Sequence, residues 1–125
     1  MLRLSLLFSL VIVAYDALSA AIAKAVGISY NSFLVLALVL FFFMGVVAGR
    51  KAASWAGIIP ILIAAVVDAT IGWYAAACIG PGYVPGWTIR VLVTLAVESA
   101  ALATAIGTAG VWIGLAVAGA RRGAL

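Results

Sequence analysis

Long apolar runs, separated by short gaps, dominate the pattern of the chain. The runs extend from about residue 4 to 23, 33 to 48, 55 to 79 and 88 to 118. A helix needs roughly 20 residues, at about 1.5 Å rise each, to cross the hydrocarbon core of a membrane. Helices are the expected element, because in lipid each backbone polar group must be satisfied within its own segment. The pattern therefore predicts an all-α integral membrane protein, a four-transmembrane-helix bundle that forms one domain over residues 1–125.

Short gaps of turn-forming residues separate the four runs. The gaps are centred on residues 27–32, 49–51 and 80–87, and the last is rich in glycine and proline. None of them is long enough to fold as a separate soluble domain. Asp16 interrupts the first apolar run, so we expect a retained first helix and not a cleaved signal peptide.

Composition excludes several classes of protein. Of the 125 residues, 69% are hydrophobic and 8% are charged, whereas soluble domains have roughly 45–50% apolar residues and about a quarter charged residues. This difference excludes a soluble enzyme, a disordered chain and a nucleic-acid-binding domain. With no histidine and one cysteine, Cys78, the chain cannot form a His/Cys metal cluster, a catalytic triad or an intrachain disulfide. We expect no enzyme activity, no cofactor and no metal site.

The cationic residues indicate the orientation of the chain in the membrane. Lys24 and Arg90 fall on one side of the spans. The other five fall on the opposite side: Arg3, Arg50, Lys51, Arg121 and Arg122. The positive-inside rule then predicts an N-in/C-in topology, with the 80–87 loop facing outward. We attribute the net charge of +4 to this topology and to anionic membrane lipids, with no nucleic acid partner. We expect a multi-pass protein of a prokaryotic inner membrane.

The two halves of the chain show a weak internal similarity. Residues 13–17 read Val-Ala-Tyr-Asp-Ala, and residues 66–69 read Val-Val-Asp-Ala. The second and fourth runs both end in Val-Ala-Gly followed by basic residues. This similarity is compatible with a weak parallel two-helix repeat, related by an axis along the membrane normal. Chance matches are also common in a chain so rich in alanine and valine.

The only three acids of the chain, Asp16, Asp68 and Glu98, all lie inside apolar runs. Each is roughly 15–18 Å from the end of its predicted helix, near the middle of a hydrocarbon core about 30 Å thick. An acid at that depth costs several kcal/mol unless it is paired or hydrated. The acids therefore predict an internal polar layer that faces other helices, to which Thr94, one turn before Glu98, can contribute.

Small residues at helical spacing predict where the helices approach each other closely. The second and fourth spans each carry a GxxxG pair, and the third carries a stripe of small residues. Such stripes let the backbones of membrane helices come into contact. The glycines that we assign to helix packing are Gly45, Gly49, Gly72, Gly110 and Gly114.

Two interpretations of the acids are equally compatible with the sequence. In the functional one, they bind a cation or carry protons, so that protonation is coupled to a substrate. In the structural one, they are protonated or hydrogen-bonded to neighbouring hydroxyl groups, such as those of Tyr15, Ser19 and Thr70, or to a neighbouring chain. They would then only fix the register of the helices.

The length, the four spans and an acid in the first helix resemble the small multidrug-resistance transporters. That family uses a glutamate where this chain has Asp16, and its aromatic substrate-site pattern is not found here, so we assign no family. The leading hypothesis is a small oligomeric channel or proton-coupled carrier for a small cation or cationic solute. The alternative is a non-catalytic accessory subunit of a larger membrane complex, of respiratory or photosynthetic type. The expected partners are membrane lipids and either copies of this chain or other membrane subunits.

Overall fold

The computed structural model describes residues 1–80 and 86–123, with the side chains of those up to residue 120. This part of the chain is helical and contains no strand. It includes four stretches that are long and apolar enough to cross a membrane, Leu2–Val26, Tyr30–Ala52, Trp55–Ile79 and Ile89–Ala120. The prediction of an all-α protein with four membrane-spanning helices is therefore confirmed. Residues 81–85 of the predicted outward loop, and the side chains of Arg121 and Arg122, lie outside the described residues.

The third stretch, which the sequence predicted as a single span, changes its helical type along its length. The α-helices of the described chain are α1 Leu2–Val26, α2 Leu34–Ala52, α3 Ile58–Val67, α4 Trp73–Ile79 and α5 Ile89–Gly123. The short 3₁₀ turns Tyr30–Phe33 and Trp55–Gly57 lead into α2 and α3. A π-helical turn, Asp68–Gly72, joins α3 to α4, with the N–H of Trp73 donating to the carbonyl of Asp68.

The ends of α1 and α4 are linked by a lysine. Helix α1 ends at Gly27, whose left-handed conformation (φ 75°) lets its N–H donate to the carbonyl of Ala23. Lys24 lies in the last turn of α1. Its ammonium group donates to the carbonyl of Ile79, the last residue of α4, at 3.0 Å. A cation at a helix C-terminus is favourable because it faces the negative end of the helix dipole. Lys24 therefore holds α1 and α4 together at this end of the bundle.

The four stretches form a ring in which α1 and α5 lie on opposite sides. Helix α1 packs along α3, the π-helical turn and α4. Helix α5 packs against α3, and its most extensive contact is with α2. Between α1 and α2 there is little contact, and α1 does not pack against α5 in the part of the chain that is described.

Glycines determine how closely α2 and α5 approach. A Cβ built on Gly45 or Gly49 would meet backbone atoms of α5. One built on Gly110 or Gly114 would meet backbone atoms of α2. Gly107, which the sequence analysis did not select, lies at the same contact and faces a methyl group of Ile61. The two backbones can touch only because no side chain stands between them.

The apolar core lies at the end of the bundle where the glycines of α2 and α5 are in contact. Its largest fully buried side chains are Ile12, Phe41, Pro60, Ile61 and Val111. These residues come from α1, α2, α3 and α5, so all four stretches meet there. The interior at this end is therefore packed by apolar side chains.

We expect Gly45→Ala to lower the free energy of unfolding by about 1–3 kcal/mol, because its methyl group would overlap the backbone of α5. The measurement is thermal unfolding in mild detergent, followed by circular dichroism. Gly119→Ala is the matched control, since a Cβ at Gly119 meets nothing within 4 Å. That variant should match the wild type or exceed its stability by up to about 1 kcal/mol. Equal unfolding temperatures for Gly45→Ala and the wild type would contradict the close contact.

Candidate functional site

A cavity of about 340 Å³ lies between the four stretches, toward the end of the bundle where α1 connects to α2. Small-molecule sites have volumes of roughly 300–1,000 Å³. The acids Asp16, Asp68 and Glu98 all line this cavity, although they come from α1, the π-helical turn and α5. The structure therefore brings the three acids of the sequence to one cavity.

Asp16 is the most deeply buried of the three acids. Its side chain is 3% exposed, and its Oδ1 accepts a hydrogen bond of 2.9 Å from the hydroxyl group of Tyr30. Its other oxygen, Oδ2, has no hydrogen-bond donor among the described residues. A Cβ built on Gly72 would overlap this oxygen. The missing side chain of Gly72 therefore leaves the space that the Asp16 carboxyl group occupies. Of the glycines assigned to helix packing, Gly72 thus has a separate place, against Asp16.

Asp16 and Asp68 form a carboxyl pair across the interface between α1 and the π-helical turn. The two carboxyl groups are close neighbours. A carboxylate is only an acceptor, so a hydrogen bond between two carboxyl groups requires that one of them carries a proton. Two ionised carboxylates close together repel each other. A proton or a cation between them would remove this repulsion.

The π-helical turn sets the position of Asp68. Its hydrogen bonds span five residues instead of four, which widens the helix at this point. The Thr70 hydroxyl donates to the carbonyl of Val66 at 2.6 Å, which gives that carbonyl a side-chain donor beside the wide turn. Single π turns inside α-helices are frequent at functional sites. Here the turn begins at the acid and ends at Gly72, the glycine that faces Asp16.

Hydrogen bonds from two tyrosines hold the α1–α2 connection against α1, beside the cavity. The Tyr15 hydroxyl donates to the carbonyl of Phe33 at 2.7 Å, and the Tyr30 hydroxyl donates to Asp16. These bonds link the two ends of the 3₁₀ turn Tyr30–Phe33 to neighbouring residues of α1. The turn therefore depends on the same part of α1 that carries the buried acid.

Glu98 stands apart from the carboxyl pair. It lines the cavity from α5, which lies across the ring from α1, and its side chain is exposed. Among the described residues, no three acid, cysteine or histidine side chains are close enough together to hold a metal ion. The cavity thus has two separate acidic positions, the buried pair and the exposed Glu98.

The remaining wall of the cavity is mostly apolar and aromatic. Its aromatic members come from all stretches except α5, and they are Tyr15, Tyr30, Phe33, Phe41 and Trp73. Its aliphatic members come from α2 and α5, and they are Leu34, Ala37, Leu38, Leu95, Leu102 and Ala103. Asn31 and Ser99 add two uncharged polar side chains. This surface suits a small ligand with an apolar body and a positive charge.

Thr94 and Tyr30 differ from the sequence analysis in opposite ways. Thr94, which the sequence analysis selected, is not among the residues that line the cavity, and its hydroxyl donates to the carbonyl of Arg90 within α5 at 2.9 Å. Tyr30 lines it and bonds to Asp16, although the sequence analysis did not select it. The one signal for Tyr30 was its place in a short polar gap beside an acid-bearing helix, which does not distinguish it from its neighbours.

We expect Tyr30→Phe to lower the free energy of unfolding by about 1–3 kcal/mol, because Asp16 Oδ1 would lose its donor in a buried position. Thermal unfolding in mild detergent measures this effect. Tyr74→Phe removes the same atom from a side chain that is 73% exposed, and it should leave the unfolding temperature unchanged. A Tyr30→Phe protein as stable as Tyr74→Phe would show that the Tyr30–Asp16 bond contributes nothing.

Comparison of the chain with protein-family models, with curated proteins and with solved structures finds no match. Its function is therefore argued from the geometry and chemistry of this site.

Proposed function

We propose that the chain is a proton-coupled carrier for a small organic cation, and that the cavity is its binding site. One observation carries this proposal. The sequence contains three acids, and all of them line the same cavity although they belong to three separate helical stretches. The proposal assigns no chemical conversion to the chain.

The lining of the cavity supports a cationic ligand. A cation that leaves water for an apolar cavity needs a counter-charge, and the acids supply it. Aromatic rings add to this attraction, because the face of an aromatic ring carries negative charge density that attracts a cation. Tyr15 and Trp73 contribute such rings beside the carboxyl pair.

The carboxyl pair supports coupling to protons. Asp16 and Asp68 share a proton when they bond to each other. A cation that binds at the pair competes with that proton for the same negative charge. Occupancy by the proton and occupancy by the cation then exclude each other, which is the requirement for exchanging one for the other across a membrane.

The packed end of the bundle favours a carrier over an open channel. Beyond Phe41 and Ala103, which line the cavity and are buried, the core around Ile61 and Val111 fills the interior. A solute in the cavity therefore reaches the other side only if the helices rearrange. We assign the hinge to the π-helical turn, because it interrupts the α-helical hydrogen-bond pattern of the third stretch and such turns are frequent at functional sites.

The finer points of topology belong to the same proposal. With both termini on the inner side, the cavity would open toward the outside of a prokaryotic inner membrane, since it lies near the α1–α2 connection. A parallel two-helix repeat would place Asp16 and Asp68 at equivalent positions of the two halves. Their direct contact supports that relation.

We expect Asp68→Asn and Asp16→Asn each to reduce proton-coupled transport at least tenfold, because either change removes the charge that proton and cation share. The measurement uses proteoliposomes with a pH-sensitive dye inside and a proton gradient. Tetramethylammonium and guanidinium are suitable probes, since both are permanently charged and do not cross a bilayer as neutral bases. Gly119→Ala is the control and should transport at the wild-type rate. Unchanged transport in both acid variants would exclude this mechanism.

We expect the protein extracted from its own membrane to be an assembly of this chain alone, because the proposal needs no other subunit. Native mass spectrometry of the untagged protein in mild detergent should give small multiples of 12.8 kDa. A particle that contains other chains would support the alternative, an accessory subunit of a larger membrane complex. The acids would then be candidates for pairing at its interfaces.

A further inference from the structure

We propose that the preferred ligand is a linear diamine, which binds with one ammonium at the Asp16–Asp68 pair and the other at Glu98. This inference rests on the proposed function, because it takes the cavity as the binding site. It goes further by naming a class of cation with two charges and an apolar middle.

The first observation is that the cavity has two acidic positions and not one. Asp16 and Asp68 are close neighbours in the interface between α1 and the π-helical turn, and together they form one acidic position. Glu98 lines the same cavity from α5, and α1 and α5 do not pack against each other in the described chain. No three acids come close enough to form one cation site in that part of the chain. A single small cation therefore cannot contact all of the acids at once.

The second observation is an unsatisfied buried oxygen at the first position. Asp16 is 3% exposed, yet its Oδ2 accepts no hydrogen bond from the described residues. Buried polar atoms normally have a partner, and an exception requires an explanation. An ammonium group has three N–H donors, so it can serve an unsatisfied carboxyl oxygen and its neighbour together. The deeper position is thus suited to a primary ammonium.

The third observation is the rest of the cavity wall. On α2 and α5 it consists mainly of aliphatic and aromatic side chains, including Leu38 and Leu102. A methylene chain can lie against such a surface without leaving a polar group unpaired. Glu98 lines the cavity with an exposed side chain, whereas Asp16 is buried. A diamine would then have one charge buried at the pair and the second at the exposed Glu98.

Charge balance agrees with a dication. The carboxyl pair is one acidic position of the cavity and Glu98 is a second, so the cavity has two places for a positive charge. A monoamine would leave one acidic position without a counter-ion. A diamine of suitable length would neutralise both.

The experiment is a binding series with purified protein in mild detergent, measured by isothermal titration calorimetry. The ligands are the α,ω-diamines from diaminopropane to diaminooctane and the monoamines of matching chain length. We expect the best diamine to bind roughly tenfold to a hundredfold more tightly than its matched monoamine, because a charge-assisted hydrogen bond is added. Affinity should pass through an optimum of chain length, since the two acidic positions are a fixed distance apart.

The variant Glu98→Gln identifies the second position. It should lower the affinity for the best diamine to that of the matched monoamine, a loss at least about tenfold larger than the one it causes for the monoamine itself. A far-ultraviolet circular dichroism spectrum like that of the wild type shows that the variant is folded. The neighbouring Val97→Ala, at a side chain that does not line the cavity, should retain the full preference for the diamine.

The outcomes separate this inference from the proposed function. Equal affinity for diamines and monoamines, or a preference that survives Glu98→Gln, would overturn the diamine and leave a carrier of monovalent cations. Failure of every amine to bind, together with failure of transport in the proteoliposome assay, would overturn both.

Discussion

Helices α2 and α5 approach so closely because glycine stands wherever a Cβ would meet the opposing backbone. In a membrane the lipid tails are as apolar as the side chains, so close packing and not the exclusion of water holds helices together. Gly45 and Gly110 are typical positions of this contact. Toward the other end of the two helices, leucines such as Leu38 and Leu102 line the space between them. The change from glycine to leucine thus coincides with the change from a packed interior to a cavity.

A buried carboxyl group is the second constraint, and several local features meet it together. An acid inside a membrane costs several kcal/mol unless it has partners. Asp16 has the Tyr30 hydroxyl at one oxygen and the Asp68 carboxyl group as a close neighbour. Gly72 leaves the space that the carboxyl group occupies, and the π-helical turn, which begins at Asp68 and ends at Gly72, lies between the two. Tyr30, Gly72 and the π-helical turn are therefore all placed so that they accommodate the Asp16 carboxyl group.

The sequence predicted the parts of this arrangement that depend on local patterns. Apolar runs of sufficient length define the four membrane-spanning helices. The rise of a helix per residue placed the three acids at similar depths, and this predicted a common polar layer. Tyr30 could not be found in this way, because its bond to Asp16 requires the α1–α2 connection to fold back over α1. The π-helical turn has no local signal either. The wider turn can be understood only from the tertiary structure, in which Gly72 contacts Asp16 of α1.

The geometry also bears on the choice between a structural and a functional role for the acids. Replacing a buried polar pair by apolar side chains of similar volume is often neutral or stabilising, so stability alone does not account for the pair. A purely structural acid would also be expected to have both of its oxygens satisfied. Asp16 leaves Oδ2 without a donor among the described residues, and it lines a cavity large enough for a small molecule. Glu98 adds a carboxyl group on the opposite wall. These features are costs for a scaffold, and they are the features on which the proposed cation carrier depends.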